Sequence, residues 1–163
     1  MSSNKTIVPF EIYCDGSAKG ADAAHRLGGC AYLIMWDKDI KRKDSGTVVD
    51  TTNQRMELTA CIEAIKGALE LGDTEHSLYI IYSDSAYLVN CWTNGWYLSW
   101  EKNGWKNSKK QPVANADLWA ELLPYFKNRA FEFCKVQGHA DNHYNNMVDE
   151  MAQEACHYSN VRS

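Results

Sequence analysis

The apolar run at residues 78–83 (LYIIYS) is the feature that most constrains the fold of this chain. It is almost continuously apolar, as expected for a central parallel strand that is buried on both faces. A helix is predicted before it, from about Thr52 to Leu71, and another helix is predicted to begin at Ser85. The apolar positions that recur at helical spacing in the first of these helices are Leu58, Cys61, Ile62, Ile65 and Leu69.

The remaining segments complete an alternation of strands and helices. Further strands are predicted at residues 7–15, 29–36, 40–49 and 131–136, and further helices at residues 115–126 and 145–157. Residues 92–111 are predicted to form short helical pieces and a loop. The third strand is the most polar and is therefore the expected edge. This order predicts an α/β fold with a mixed five-stranded sheet and helices on both faces.

Length and composition indicate a single domain over residues 1–163, with residues 1–6 and 158–163 as flexible tails. The chain is 45% hydrophobic and 23% charged, which is ordinary globular composition. The polar start (MSSNKT) lacks a signal-peptide core, and no apolar run reaches transmembrane length. Six cysteines without a CxxC pair favour a reducing compartment over disulfides or zinc. A soluble, cytoplasmic protein is expected.

Two aspartates follow apolar runs in the same way. Asp15 comes after IVPFEIYC, and Asp84 comes after LYIIYS. Ligands in α/β sheets bind outside the carboxyl ends of strands, so these two side chains are expected to face one another. Each aspartate taken alone is more often the start of a turn. Glu57 lies early in the first helix on a face of small or apolar residues, where a carboxylate needs a partner such as a metal ion.

The late helix adds a fourth acidic residue, Asp149, beside Val148 and Met151. His139 precedes this helix in a Gly-His-Ala loop. A loop histidine is more often ordinary surface than catalytic, although histidine is the commonest proton shuttle. If Asp15, Glu57, Asp84 and Asp149 converge, they form a cluster of hard oxygen ligands. Such a cluster suits Mg²⁺ or Mn²⁺ and hence phosphate chemistry.

Five segments resemble the type 1 ribonuclease H family in order and spacing, over roughly residues 8 to 157. They are YCDGS, TTNQRMEL, YSDSAYLVN, NGWYLSWEKNGWKNSKKQPVANADLW and VQGHADNHYNNMVDEMA. The resemblance implies a ribonuclease H-like fold and a monomer. It also implies endonucleolytic hydrolysis of the RNA strand of RNA/DNA hybrids, leaving 5′-phosphate and 3′-hydroxyl ends.

The resemblance also implies roles for individual residues. Asp15, Glu57, Asp84 and Asp149 match the acidic quartet of the family, which would hold two Mg²⁺ ions, with Mn²⁺ as a possible substitute. Asp15 would bridge both ions, Glu57 and Asp84 would bind one, and Asp149 the other. His139 matches a mobile catalytic histidine that moves protons or helps product to leave.

Substrate contacts are implied in the same way. The positions that resemble contacts to sugars and base edges are Gly16, Ser17, Asn53 and Gln54. Those that resemble the phosphate pocket and the aromatic groove are Thr52, Trp96, Ser99 and Trp100. Those that resemble the basic protrusion are Lys102, Lys106, Lys109 and Lys110. Interleaved tryptophans favour phosphate contact for these lysines, although Glu101 dilutes their charge and a solvated loop is the alternative.

Two other functions remain open at this point. One is a different nuclease of the same superfold acting on DNA, such as a resolvase or an integrase core. The other is a binding module without turnover, against which the retention of all four acids and His139 argues. The chain also departs from the family at Ala86, at Gln137 and in the loop after Asp15, and none of these departures changes a predicted metal ligand.

Overall fold

The structure, a computed structural model, describes residues 8–20, 26–72, 77–137 and 142–161. Its strands are β1 (Phe10–Lys19), β2 (Leu27–Trp36), β3 (Asp39–Val49), β4 (Leu78–Ser83) and β5 (Ala130–Lys135). Its helices are α1 (Asn53–Leu71), α2 (Ala86–Thr93), α3 (Trp96–Lys102), α4 (Ala116–Asn128) and α5 (His143–Val161). Each predicted strand and helix is present, and α3 is the short helical piece expected within residues 92–111.

The five strands form one mixed sheet in the order β3-β2-β1-β4-β5. The pairs β1–β2 and β2–β3 are antiparallel, whereas β1–β4 and β4–β5 are parallel. The apolar strand β4 is therefore an interior parallel strand, and the polar strand β3 is an edge. Both predictions are confirmed.

Side chains of β1 point alternately to two buried faces. Ile12 and Cys14 pack with α1 in a larger core to which α2, α3 and α4 also contribute. Tyr13 packs on the other face with Leu33 and with Val148 of α5. Because apolar side chains lie on both sides of β1, helices cover both faces of the sheet, as predicted.

Helix ends agree with the local capping chemistry. The Thr52 side chain accepts a hydrogen bond from the Arg55 N–H at 3.2 Å, and α1 ends where the Gly72 N–H donates to the Ala68 carbonyl. Ser85 caps α2 by accepting from the Leu88 N–H at 3.1 Å. These caps fix where Glu57 stands on α1 and place the start of α2 directly after Asp84.

Two sequence boundaries were wrong. Strand β1 does not end at Asp15 but runs on to Lys19, because β2 continues to pair with it as far as Leu27. Helix α5 spans His143–Val161 and so extends beyond residue 157, where the predicted helix ended. No glycine or proline interrupts the sequence after His143, which explains the longer helix. Residues 1–7 and 162–163 lie outside the described part.

All six cysteines are free, and five of them are buried. Cys14 and Cys61 lie in the larger core, where they pack as small apolar side chains. Within the described ranges, no helix combines the length and apolar character that a membrane crossing requires. A cytoplasmic location stays a prediction.

Candidate active site

Strand register places Asp15 next to Asp84. The parallel pairing of β1 and β4 ends with Tyr13 opposite Tyr82, two residues before each aspartate. Beyond that point β4 gives way to α2, while β1 continues along β2. Asp15 is 7% exposed, and Asp84 is half-buried. The two carboxylates therefore meet at the carboxyl end of the parallel pair, as the sequence predicted, although Asp15 lies within its strand.

Glu57 comes close to this pair because α1 rests directly on the β1 main chain. A Cβ atom at Gly16 would overlap the Met56 carbonyl group and lie 2.5 Å from the Glu57 nitrogen. Only a residue without a side chain allows that approach. The second turn of α1 is thereby held against the strand segment that carries Asp15.

Asp149 reaches the same place from the opposite face of the sheet. A Cβ atom at Gly29 of β2 would overlap the Ala152 carbonyl oxygen, one helical turn after Asp149. The Cys156 thiol also donates a hydrogen bond to the Ser17 carbonyl at 3.4 Å. Helix α5 therefore lies against β1 and β2 beside Asp15.

The carboxylates interact electrostatically as one group. Burial, then the charge of Asp84, then a hydrogen bond and the charge of Asp149 raise the pKa of Asp15 from 3.8 to about 8. The Gly16 N–H donates to the Asp15 carboxylate at 2.9 Å and opposes this rise. Burial and the charge of Asp84 also raise the pKa of Glu57, against a lowering hydrogen bond from Ser85. Repulsion of this kind is expected among carboxylates that share a pocket.

A side-chain hydroxyl and a side-chain amide each hold one of the carboxylates. The Ser85 hydroxyl donates to Glu57 Oε2 at 2.5 Å, and the Gln153 amide donates to Asp149 at 3.2 and 3.3 Å. Among the residues that the structure describes, no three histidine, cysteine or acidic side chains stand close enough to hold a metal ion as they are. The carboxylates lie near one another but do not form a complete metal-coordination site in the described part of the chain. Their hard oxygens and mutual repulsion still fit a divalent cation, because Mg²⁺ prefers oxygen ligands and a nearby positive charge offsets repulsion among carboxylates.

Five of the predicted substrate residues surround the carboxylates. Asn53 Oδ1 accepts from the Ala18 N–H at 2.7 Å, which ties the start of α1 to β1. Thr52 uses its oxygen as the α1 cap, and Gln54 is exposed beside it. Gly16 and Ser17 continue β1 past Asp15. Contacts of these residues to substrate stay a prediction.

A second set of predicted residues meets in a groove of about 660 Å³ at the end of α3. Its lining consists of Ser99, Trp100, Asn103, Lys106, Asn107, Ser108 and Lys110. Trp96 is 45% exposed, and its ring centroid lies 6.5 Å from that of Trp100. Lys109 is exposed on the same loop but lies outside the lining.

The basic loop is ordered by Asn107. Its Oδ1 accepts from the N–H groups of Lys109 and Gln111, and its carbonyl accepts from the Lys110 N–H. Glu101 pairs with Lys127 of α4 at 2.9 Å. The carboxylate that was expected to dilute the positive charge of the loop is thus paired with a lysine of α4.

His139 lies outside the described residues, between Gln137 at the end of β5 and Asn142 before α5. Two other tryptophans pack in the larger core. Trp119 is fully buried and donates to the Tyr87 hydroxyl at 2.8 Å, and Trp92 packs against Phe133.

Comparison with known proteins assigns the chain to a family. A family model described as RNase H matches residues 8–157. This chain belongs to the RNase H family. It is a ribonuclease H enzyme by that membership, which favours this function over the resolvase or integrase alternative.

Relatives and a solved structure agree with the assignment. The chain is 43% identical to a ribonuclease H of Thermoanaerobacter sp. (strain X514) over 154 residues, 94% of this chain and 92% of that protein. It is 46% identical to a ribonuclease H of Moorella thermoacetica over 144 residues, 88% of this chain and 89% of that protein. The crystal structure of LC9-RNase H1, a type 1 RNase H with the type 2 active-site motif, superposes with a TM-score of 0.80 at 27% identity, covering 96% of this chain and 75% of that one.

Sequence reasoning missed two contacts in this RNase H, one at the carboxylates and one between α2 and the start of α4. One is the hydrogen bond from Ser85 to Glu57, for which the only signal was the capping serine after Asp84. The other is Asn115, which stands at φ 61° and donates to the Tyr87 hydroxyl at 3.2 Å. Asparagine tolerates the left-handed region, so its place before α4 was a weak signal for such a turn.

Proposed function

We propose that this RNase H is an endonuclease that cleaves the RNA strand of RNA/DNA hybrids with divalent cations held by its four acidic side chains. The observation that supports the proposal best is the setting of Asp15. This carboxylate is buried, and Asp84 and Asp149 raise its pKa from two different elements. A buried carboxylate crowded by like charges is a site that a cation would stabilise.

The positions of the four acidic residues suggest which of them would bind each cation. Asp15 lies between Asp84 at the end of β4 and Asp149 on α5, so we assign it to both ions. Glu57 and Asp84 would share one ion, and Asp149 would bind the other. Bound there, two Mg²⁺ ions would activate the attacking water and stabilise the leaving 3′ oxygen, giving 5′-phosphate and 3′-hydroxyl products. Mn²⁺ would be accepted because it prefers the same oxygen ligands.

His139 is assigned to proton movement or product departure near Asp149, ten residues before it in the chain. Histidine suits this role because its side chain is the one whose ordinary charge change falls between pH 5 and 8.

Substrate binding would use both sets of residues around the site. Gly16, Ser17, Asn53 and Gln54 lie next to the carboxylates and would read the 2′-hydroxyls of the RNA strand across a shallow minor groove. Thr52 would bind a phosphate of the DNA strand. The groove with Trp96, Ser99, Trp100, Lys106, Lys109 and Lys110 around it would bind that strand further along.

A substrate panel tests the proposal. A labelled RNA strand paired with DNA is compared with RNA/RNA and DNA/DNA, each with Mg²⁺ and with chelator. We expect cleavage of the hybrid alone and only with Mg²⁺. Asp84→Asn should lower the rate at least about 100-fold while hybrid binding survives, because losing a ligand removes several kcal/mol of transition-state stabilisation.

Asp39→Asn is the matched control, since Asp39 is an exposed aspartate on β3. It should cleave like the wild type. Full activity of Asp84→Asn, or equal cleavage of DNA/DNA, would refute the proposal.

A further inference from the structure

Ser85 links α1, which carries Glu57, to the segment between β4 and α2, which carries Asp84. It follows Asp84 directly and is itself buried. Its hydroxyl donates to Glu57 Oε2 on α1 at 2.5 Å, across 28 residues of sequence. The same oxygen accepts from the Leu88 N–H at 3.1 Å as the cap of α2.

The hydroxyl proton has one favourable direction. A serine hydroxyl carries one proton and accepts through its lone pairs. The Leu88 N–H occupies the acceptor side, and the Ser85 N–H is itself held by the buried Ser83 hydroxyl oxygen at 3.1 Å. The proton is therefore directed at Glu57 by a backbone that is fixed on both sides.

We propose that Ser85 is a positioning residue for Glu57. By holding Oε2 it turns the other oxygen, Oε1, toward the cation site beside Asp84. A hydrogen bond to a carboxylate is charge-assisted, and donors of this kind orient metal ligands and raise metal affinity. This inference rests on the proposed function, because it assigns Glu57 to a cation.

The capping role of Ser85 does not account for the contact. A cap needs only the oxygen as an acceptor from Leu88, whereas the bond to Glu57 uses the proton and reaches a different helix. The donor to Asp149 differs, because Gln153 is exposed and its two distances are 3.2 and 3.3 Å. Of the two donors, Ser85 is thus the one that is buried and that makes the shorter hydrogen bond.

Four variants separate positioning from capping. Ser85→Ala and Ser85→Gly both remove the hydroxyl, but glycine keeps most of the capping preference. Ser85→Thr restores donor and acceptor. Thr59→Ala is the matched control, because it removes a hydroxyl of α1 that donates to the Arg55 carbonyl at 2.7 Å, within the same helix.

The readouts are Mn²⁺ binding to the protein by calorimetry without substrate, and the Mg²⁺ dependence of hybrid cleavage. The alanine and glycine variants should each lose about 10- to 100-fold in Mn²⁺ affinity and need correspondingly more Mg²⁺. Their KM for the hybrid should stay unchanged. Ser85→Thr and Thr59→Ala should stay within about threefold of the wild type, given that scale of loss for a removed donor.

Wild-type affinity in the alanine and glycine variants would overturn the inference. So would losses that follow the melting temperature, with alanine worse than glycine, because that order indicates a cap alone. If the wild-type protein binds Mn²⁺ but does not cleave hybrids, the proposed function fails while the affinity comparison still decides the role of Ser85. If the wild type binds no Mn²⁺, both proposals fail.

Discussion

Asp15 is the residue with the most unusual setting in the molecule. It is an acidic side chain inside a strand, buried where β1 leaves β4 and faced by carboxylates from β4 and α5. A carboxylate in such a place costs stability whenever it is charged and unpaired. The residue is therefore expected to make the protein without metal sensitive to pH.

The sign of this effect follows from the two pKa values. Asp15 titrates near 3.8 in the unfolded chain and at about 8 in the folded protein, so the folded state binds the proton more tightly. The free energy of unfolding should fall as pH rises from about 4 to about 8. Above pH 8 the stabilisation that comes from protonated Asp15 is lost completely. Asp15→Asn should thus stabilise the metal-free protein at pH 8 by at least about 1 kcal/mol, or about 2–4 °C, and much less near pH 4.

Thermal unfolding in chelator at several pH values measures this difference. Asp39→Asn on the exposed edge strand should show no comparable pH dependence. A gain for Asp15→Asn that is equal at pH 5 and pH 8 would mean that shape, not charge, limits stability at this position.

Two glycines decide how the helices sit on the sheet. Gly16 lets α1 touch β1, and Gly29 lets α5 touch β2 from the other face. Since Ser17 pairs with Gly29, both contacts fall within the same short stretch of the β1–β2 pair. Glu57 and Asp149 are brought to Asp15 by these two approaches.

Gly29→Ala should therefore move α5 and weaken both stability and cleavage. The added methyl group would overlap the Ala152 carbonyl, and overpacking of this kind costs about 1–3 kcal/mol. Urea unfolding and hybrid cleavage rates measure the two effects. Gly46→Ala on β3 is the control, because its added Cβ would meet only the Cys30 sulfur at an ordinary 3.6 Å. Equal behaviour of the two variants would contradict the role given to Gly29.

Elements with clear local signals were predicted closely. Helix α1 agrees within one residue because Thr52 and Gly72 mark its ends. The end of β1 was missed because Asp-Gly-Ser is typical of a turn, whereas its pairing with β2 keeps it extended. The quartet was predicted from strand ends and family resemblance. The hydrogen bond between Ser85 and Glu57 could not be predicted, because the two residues are 28 positions apart and no local sequence pattern indicates that they meet.

Over the whole molecule, charged residues are unevenly distributed. The net charge is −4, yet Lys106 and Lys110 line one groove together with Trp100. Electrostatic attraction to a phosphate backbone must then be local, because screening limits it to about 10 Å at 0.1 M salt. Binding should depend on this one loop and not on the average charge.

Replacing Lys106, Lys109 and Lys110 together with alanine should weaken hybrid binding and flatten its salt dependence. Each phosphate that the variant no longer neutralises should lower the slope of log K against log salt by about 0.9, the value for B-DNA. Lys109 should contribute least, since it lies outside the groove lining. Titrations at several salt concentrations measure the slope.

The triple variant of Lys38, Lys41 and Lys43 removes the same charge from exposed positions at the β2–β3 side. It should bind with the wild-type slope. If both triple variants behave alike, the loop is ordinary solvated surface.

The direct contact of α1 and α5 with glycine main chain limits which substitutions this enzyme can tolerate. Where a helix touches a glycine, the two main chains lie in direct contact, because no side chain separates them. A side chain added at either position would push the helix, and the acidic residue that it carries, away from Asp15. Efforts to make the protein more heat-resistant must therefore leave these two positions without side chains.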